Sequence, residues 1–291
     1  MKKLFILVLL LGVTSSAWAT TDWSYITTNR DWFNPDNWDD SSATQPVPQP
    51  IPTATTEVRM HASYAAPYAY TAIIADTSPL YVVGGAVASV INIGGVAATY
   101  NGGLPRGQLT INSGVLTVGN GLRVGGSSSS KRSGELYVNG GIINAPTTYL
   151  AVGYGPSAGG TSGWMYMTGG TVNVNQFDII RIAGAAGSGV NGYAYISGGT
   201  INATDLRIKP VGGDGIALLD ITGGAKIIIT GNKRDTILGY VGSGWIKSNG
   251  VDLDEAWVNY NPNTDKTIIT PEPATLCLLG IGALSLIRRK R

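Results

Sequence analysis

Five segments of the chain follow one pattern: GQLTINSGVLTV, GELYVNGGIINA, GWMYMTGGTVNV, GYAYISGGTINA and GIALLDITGGAKIII. Their second turn residues are Gly114, Gly141, Gly170, Gly199 and Gly224, so the spacings are 27, 29, 29 and 25 residues. A repeat of this length means that like units stack, each burying a face its neighbour needs. Within each unit the apolar residues alternate with period two, the signature of a half-buried strand. Leu109/Ile111, Leu136/Val138, Met165/Met167, Ala194/Ile196 and Leu219/Ile221 face inward from the first strand. Leu116/Val118, Ile143/Ala145, Val172/Val174 and Ile201/Ala203 do so from the second, and Lys226 is expected to break this register in the last unit. A third short strand follows: LRVGG (122–126), LAVGYG (150–155), IRIAG (180–184), LRIKP (206–210) and ILGYVG (237–242).

No helical stretch separates the strands, which argues against a βαβ fold. Gly-Gly corners allow the tight bends. The prediction is an all-β parallel β-solenoid of five to six coils, three short strands per coil; an antiparallel β-sandwich is the alternative. A solenoid must cover its ends. The expected division is therefore 1–19 leader, 20–56 Trp-rich N-terminal cap, 57–242 solenoid, 243–270 C-terminal cap and 271–291 tail. Trp23, Trp32 and Trp38 supply aromatic cover at one end, and Trp245 and Trp257 at the other.

Composition limits the chemistry. The chain has 41 glycines and only 13% charged residues, yet 43% of it is apolar, which excludes a disordered polymer. The single cysteine, Cys277, lies in the tail, so the body has neither disulfides nor thiol chemistry. His61 is the one histidine. Setting aside Lys2, Lys3 and the four basic residues at the C-terminus leaves 14 basic against 18 acidic residues. A nucleic-acid partner would want a basic face, and none is predicted. No cofactor, metal site or catalytic residue is predicted either.

Stacking in register converts the outward residues into files. Tyr137, Tyr166 and Tyr195 align with Thr110 and Asp220; Asn144, Asn173 and Asn202 align with Thr117; Arg123, Ala151, Arg181 and Arg207 form a third file. The tyrosine and asparagine files form a possible glycan-binding ladder, with sugar rings stacking on the aromatics and amides bonding hydroxyls. The same files can instead serve only to stabilise the coils, through ring packing and amide ladders. The arginine file suits an anionic glycan or a merely solvated face.

The two ends read as addresses. Lys2-Lys3, the apolar run Leu4 to Val13 and Ala17-Trp18-Ala19 make the three parts of a secretory signal peptide. At the other end Ala274 to Ile287 spans 14 residues. As a helix that is about 21 Å, a short transmembrane span against a hydrocarbon core of about 30 Å. The basic cluster would remain on the cytoplasmic side.

Pro271-Glu272-Pro273, this apolar stretch, and Arg288, Arg289, Lys290 and Arg291 occur in that order at the very end. The tail resembles the PEP-CTERM sorting signal of bacteria. That resemblance implies recognition by a membrane sorting enzyme, exosortase, and delivery to the cell envelope, surface or exterior of a bacterium that makes exopolysaccharide. The tryptophan-rich opening and Gly-rich coils are similar to exported repeat proteins with such tails.

An exported structural or adhesive protein of the extracellular matrix, with exopolysaccharide as its candidate ligand, is therefore the expected function. The competing reading is a polysaccharide-degrading enzyme, a lyase or glycoside hydrolase, on a β-helix scaffold. That chemistry needs paired or clustered carboxylates, or an acidic calcium site with a nearby base. Asp178 and Asp205 are the nearest approach to a pair, both preceding third strands of adjacent coils. Their offsets differ by one, and Arg181 and Arg207 beside them suit surface ion pairs.

Overall fold

The computed structural model describes residues 20–23, 38–39, 51–54, 57–60, 70–74, 85–94, 106–125, 133–156, 161–183, 189–209 and 215–271. The N-terminal strands are β1 (Thr20–Trp23), β2 (Trp38–Asp39), β3 (Glu57–Met60) and β4 (Tyr70–Ile74). The coils continue as β5 (Ala86–Ile93), β6 (Arg106–Ile111), β7 (Val115–Val124), β8 (Ser133–Val138), β9 (Ile142–Pro156), β10 (Ser162–Met167), β11 (Thr171–Ala183), β12 (Asn191–Ile196), β13 (Thr200–Ile208), β14 (Ala217–Ile221) and β15 (Lys226–Thr230). Helix α1 (Arg234–Gly242) follows, then β16 (Ile246–Ser248), β17 (Val251–Asp252), β18 (Val258–Asn261) and β19 (Lys266–Ile269).

These strands form two sheets. One has 11 strands in the order β18-β19-β15-β13-β11-β9-β7-β5-β3-β1-β2; the other has 8, ordered β17-β16-β14-β12-β10-β8-β6-β4. From β3 to β15 each strand pairs in parallel with its counterpart one coil away. The fold is thus a parallel β-solenoid, as the repeat requires. The inward residues of the first and second strands form one core between the sheets. Leu109, Leu136, Met165 and Leu219 are fully buried in line, as are Leu116, Ile143, Val172 and Ile201. Each such side chain contributes about 1.5–3 kcal/mol on burial.

Hydrogen bonding joins the second and third strands of a coil into one element. β9 runs unbroken for 15 residues. The segments between the two halves are too short to turn, so they bend through bulges instead. Between β7 and β9 the register slips between Thr117 and Leu122. The first-to-second-strand corner does turn, at Gly114, Gly141, Gly170 and Gly199, with φ of 76°, 68°, 80° and 81°. A side chain there would meet the carbonyl oxygen of the preceding coil's corner glycine, at 2.6 Å for Gly141 and 2.7 Å for Gly170.

Three expectations are corrected. Lys226 does not break the register: it pairs with Thr200, and Ile227 and Ile229 point inward fully buried. Thr222-Gly223-Gly224-Ala225 is one residue longer than Ser197-Gly198-Gly199, so the corner absorbs the apparent shift. ILGYVG is helical, not a strand, because it belongs to α1. The last coil has no following coil to pair with, and a helix satisfies its own backbone while laying Ile237 and Val241 on the core end.

The third correction concerns the arginine file. Asp178 pairs with both Ala151 and Arg207, whereas Arg181 pairs with Tyr154. Phe177-Asp178-Ile179 and Ile180-Arg181-Ile182 alternate equally well, but Phe177 and Ile179 take the core positions. Ile180 then turns the corner with φ 68°, the place occupied by Gly153 at φ 81° one coil earlier. A left-handed β-branched residue is strained, and its own burial offsets the strain.

The ends are closed by short antiparallel strands. β19 lies between β15 and β18, and β17 pairs with β16. At the other end β2 lies antiparallel on β1. Trp245 and Trp257 pack, partly buried, against the core.

Candidate functional site

The outer face of the eight-stranded sheet carries an aromatic platform. In-register pairing places Tyr137 beside Tyr166 and Tyr166 beside Tyr195. Their ring centroids are 4.9 Å and 5.5 Å apart, with planes inclined 19° and 10°. These are offset stacks, the favoured arrangement of aromatic rings. Two residues earlier on the same strands, Trp164 stacks on Tyr193 at 5.8 Å and 12°. Sequence reasoning missed this second file. The signal was present in GWMYM and GYAYI, where aromatics at i and i+2 must share a face. Partial burial, with Tyr195 beside it, holds the Tyr193 phenol above its usual range.

Polar groups border the platform. Glu135, buried, occupies the Trp164 position one coil earlier and accepts a 3.1 Å hydrogen bond from the Tyr137 hydroxyl. On the other side Asn139 donates to Asn112 at 2.9 Å and accepts from Thr168 at 3.2 Å. After Tyr195 the file continues as Asp220. Tyr166, Tyr195, Thr168, Ser197, Thr222 and Asp220 enclose a shallow depression of about 160 Å³. Asp220 Oδ2 accepts from the Gly250 N–H at 3.0 Å, whereas Oδ1 is out of solvent without a partner among the described residues.

Asn144, Asn173 and Asn202 are not beside the tyrosines. They lie on the eleven-stranded sheet, where Asn173 donates to Asn144 and Asn202 to Asn173, each at 2.9 Å. Each coil thus uses amide capacity to hold the next. The two halves of the predicted ladder occupy different sheets, separated by the Gly-Gly corner.

Further along the eleven-stranded sheet, arginines and tyrosines interleave. The Arg181 guanidinium lies 3.9 Å from the Tyr149 ring centre and donates at 2.7 Å to both Asp178 and Gln176. Arg123 sits 4.7 Å from the Tyr154 ring centre and donates to the Tyr149 hydroxyl at 2.7 Å. Asp178 is 2% exposed, and one of its oxygens has no partner among the described residues. Burial raises its pKa, against the opposing hydrogen bond and charge of Arg181. Asp205 pairs in register with Gln176, not with Asp178, and bridges to Arg207 at 3.1 Å and Lys233 at 3.4 Å. The two carboxylates are therefore each turned to cations of their own.

Pro271 is buried, and the preceding Thr270 N–H bonds to Trp257 O at 3.2 Å. Glu272, Pro273, Arg288, Arg289, Lys290 and Arg291 lie outside the described residues, as do the N-terminal leader and His61. Among the described residues, no helix is long and apolar enough to cross a membrane.

No curated protein and no solved structure matches the chain. Residues 270–291 match the family of the PEP-CTERM protein-sorting motif. This is the signal an exosortase recognises, and it marks a bacterial protein exported to the cell envelope or surface.

Proposed function

We propose that the protein is a structural or adhesive rod of the extracellular matrix, and that it contacts exopolysaccharide through the outer face of its eight-stranded sheet. The observation that carries this reading is the double aromatic file: five rings, Trp164, Tyr193, Tyr137, Tyr166 and Tyr195, on one face of a rigid sheet. Ring surfaces beside hydroxyl groups suit the alternating apolar and polar faces of a sugar. Core packing does not require these side chains, because the inward positions of the same strands are filled by aliphatic residues and methionine. The amide ladder of Asn144, Asn173 and Asn202 holds the coils together. The sorting enzyme is the partner in delivery, and the tail is the membrane contact before processing. Turnover of glycan forms no part of this reading, since Asp178 and Asp205 are each occupied with cations.

The test is retention of the purified protein on immobilised neutral and acidic glycans, with the products assayed for new reducing ends and unsaturated uronates. Retention without products is expected. Products would establish the degrading enzyme instead.

A further inference from the structure

The stacking geometry limits where a sugar can meet this platform. Carbon atoms in contact sit about 3.5–4.0 Å apart. Rings whose centres are 4.9 Å and 5.5 Å apart in nearly parallel planes therefore shingle, each covering part of its neighbour's face. Tyr166 has a ring neighbour on both sides. The file ends on Thr110 beyond Tyr137 and on Asp220 beyond Tyr195, and among the described residues Tyr195 has a ring neighbour on one side only. The depression opens at this step. Its room of about 160 Å³ is far more than one water needs, on the scale of a single sugar ring.

We propose that the end of the tyrosine file, rather than its length, is a subsite for one residue of a neutral glycan chain; the inference rests on the glycan-binding reading above. The uncovered face of Tyr195 supplies the stacking surface. Thr222 supplies a hydroxyl that both donates and accepts, while Thr168 and Ser197, which donate to Asn139 Oδ1 and Met167 O, supply acceptor oxygens. Asp220 fixes the charge preference. Its side chain lines the depression, and a carboxylate accepts hydrogen bonds and donates none. Lys247, next in the Asp220 file, is turned to the Gly250 carbonyl at 3.5 Å and Asp252 at 3.9 Å. A uronate would bring its carboxylate against that of Asp220, whereas a neutral sugar brings hydroxyl donors.

The experiment is titration of the full-length protein with neutral oligosaccharides (glucans, mannans, galactans and N-acetylglucosamine oligomers) and with oligogalacturonate. It is repeated on Tyr195→Ala, Tyr137→Ala and Ser197→Tyr, with folding of each checked by circular dichroism. At least one neutral oligomer is expected to bind and the uronate is not. Tyr195→Ala and Ser197→Tyr are expected to weaken binding about tenfold or more, the loss typical of an anchoring aromatic. Tyr137→Ala should change it less than about twofold, the mark of a contact outside the hot spot. Ser197→Tyr fills the depression while removing no buried group, so it decides the question if Tyr195→Ala fails to fold. Equal losses on Tyr137→Ala and Tyr195→Ala, with Ser197→Tyr silent, would overturn the end subsite and leave the glycan-binding reading standing. Preference for the uronate would do the same to the charge argument. Failure of every glycan to bind would sink both.

Discussion

Gly134→Ala tests the stacking at one of its tightest points. Gly134 opens β8 where the chain passes beneath the previous coil's corner. An added methyl would lie 2.7 Å from the Ile93 carbonyl carbon, 2.8 Å from Gly125 N, and closer still to Ile93 O. That oxygen accepts the Gly125 N–H at 2.7 Å, so the methyl would fall on a hydrogen bond joining successive coils. Restoring ordinary carbon contact at about 3.5 Å needs a backbone shift of at least roughly 0.8 Å, and the nearer oxygen needs more. The same shift would stretch the bond past the roughly 3.2 Å limit of a good one. Losing it in a buried place strands a donor and an acceptor, at about 1–3 kcal/mol each. The expected cost is about 4 kcal/mol, a large share of a typical folding free energy of about 5–15 kcal/mol. Urea unfolding followed by far-UV circular dichroism and tryptophan fluorescence measures it. Gly224→Ala is the control, because a methyl there meets nothing within 4 Å, and it should stay within about 0.5 kcal/mol of wild type. A Gly134→Ala protein as stable as the control would refute the close approach of the coils.

Other consequences follow from the same architecture. Arg181→Met should destabilise by about 3–5 kcal/mol at neutral pH, because it abandons the Asp178 carboxylate inside the protein; the defect should shrink in acid as Asp178 takes up a proton, which unfolding across pH would reveal. In the wild type the raised Asp178 pKa means that the native state holds this proton more tightly than the unfolded chain. Its contribution is fully present below the unfolded value of about 3.9 and is lost as pH rises through the folded value. Asp178→Asn should flatten that part of the stability profile. Asn173→Leu, which removes the middle of the amide ladder, should cost about 1–2 kcal/mol by stranding groups on Asn144 and Asn202; Asn144→Leu at the end of the same run should cost less. Gly239→Ala in α1 has open space around it and should raise stability by about 0.5–1 kcal/mol, seen as a higher midpoint in urea.

The repeat made the coils legible because a solenoid obeys a one-dimensional rule: each residue meets its equivalent one coil away. Tyr137, Tyr166 and Tyr195 stack as equal spacing demands. The rule gave out where two registers fit the same residues. Phe177-Asp178-Ile179 and Ile180-Arg181-Ile182 have the same alternation, and periodicity cannot rank them. Three-dimensional fit ranks them, by placing the larger Phe177 opposite Leu150 and letting Ile180 take a left-handed corner. Periodicity was equally silent at Lys226, where one extra corner residue looks the same as a lost register. It also named the right asparagines without their location, because which sheet a strand joins depends on where the chain turns.

Alternation, glycine pairs and a spacing near 29 residues were enough by themselves to specify stacked parallel coils with aliphatic interiors and tyrosines in file. These are local properties that every coil restates, so errors average out along the chain. The tail's address was equally local, carried by a handful of consecutive residues. Tertiary structure alone decided which ladders share a face, where a helix replaces a strand at the open end, and that the tyrosine file stops against Asp220 over a depression. Those outcomes depend on contacts between segments that do not repeat, whose energies no single coil contains.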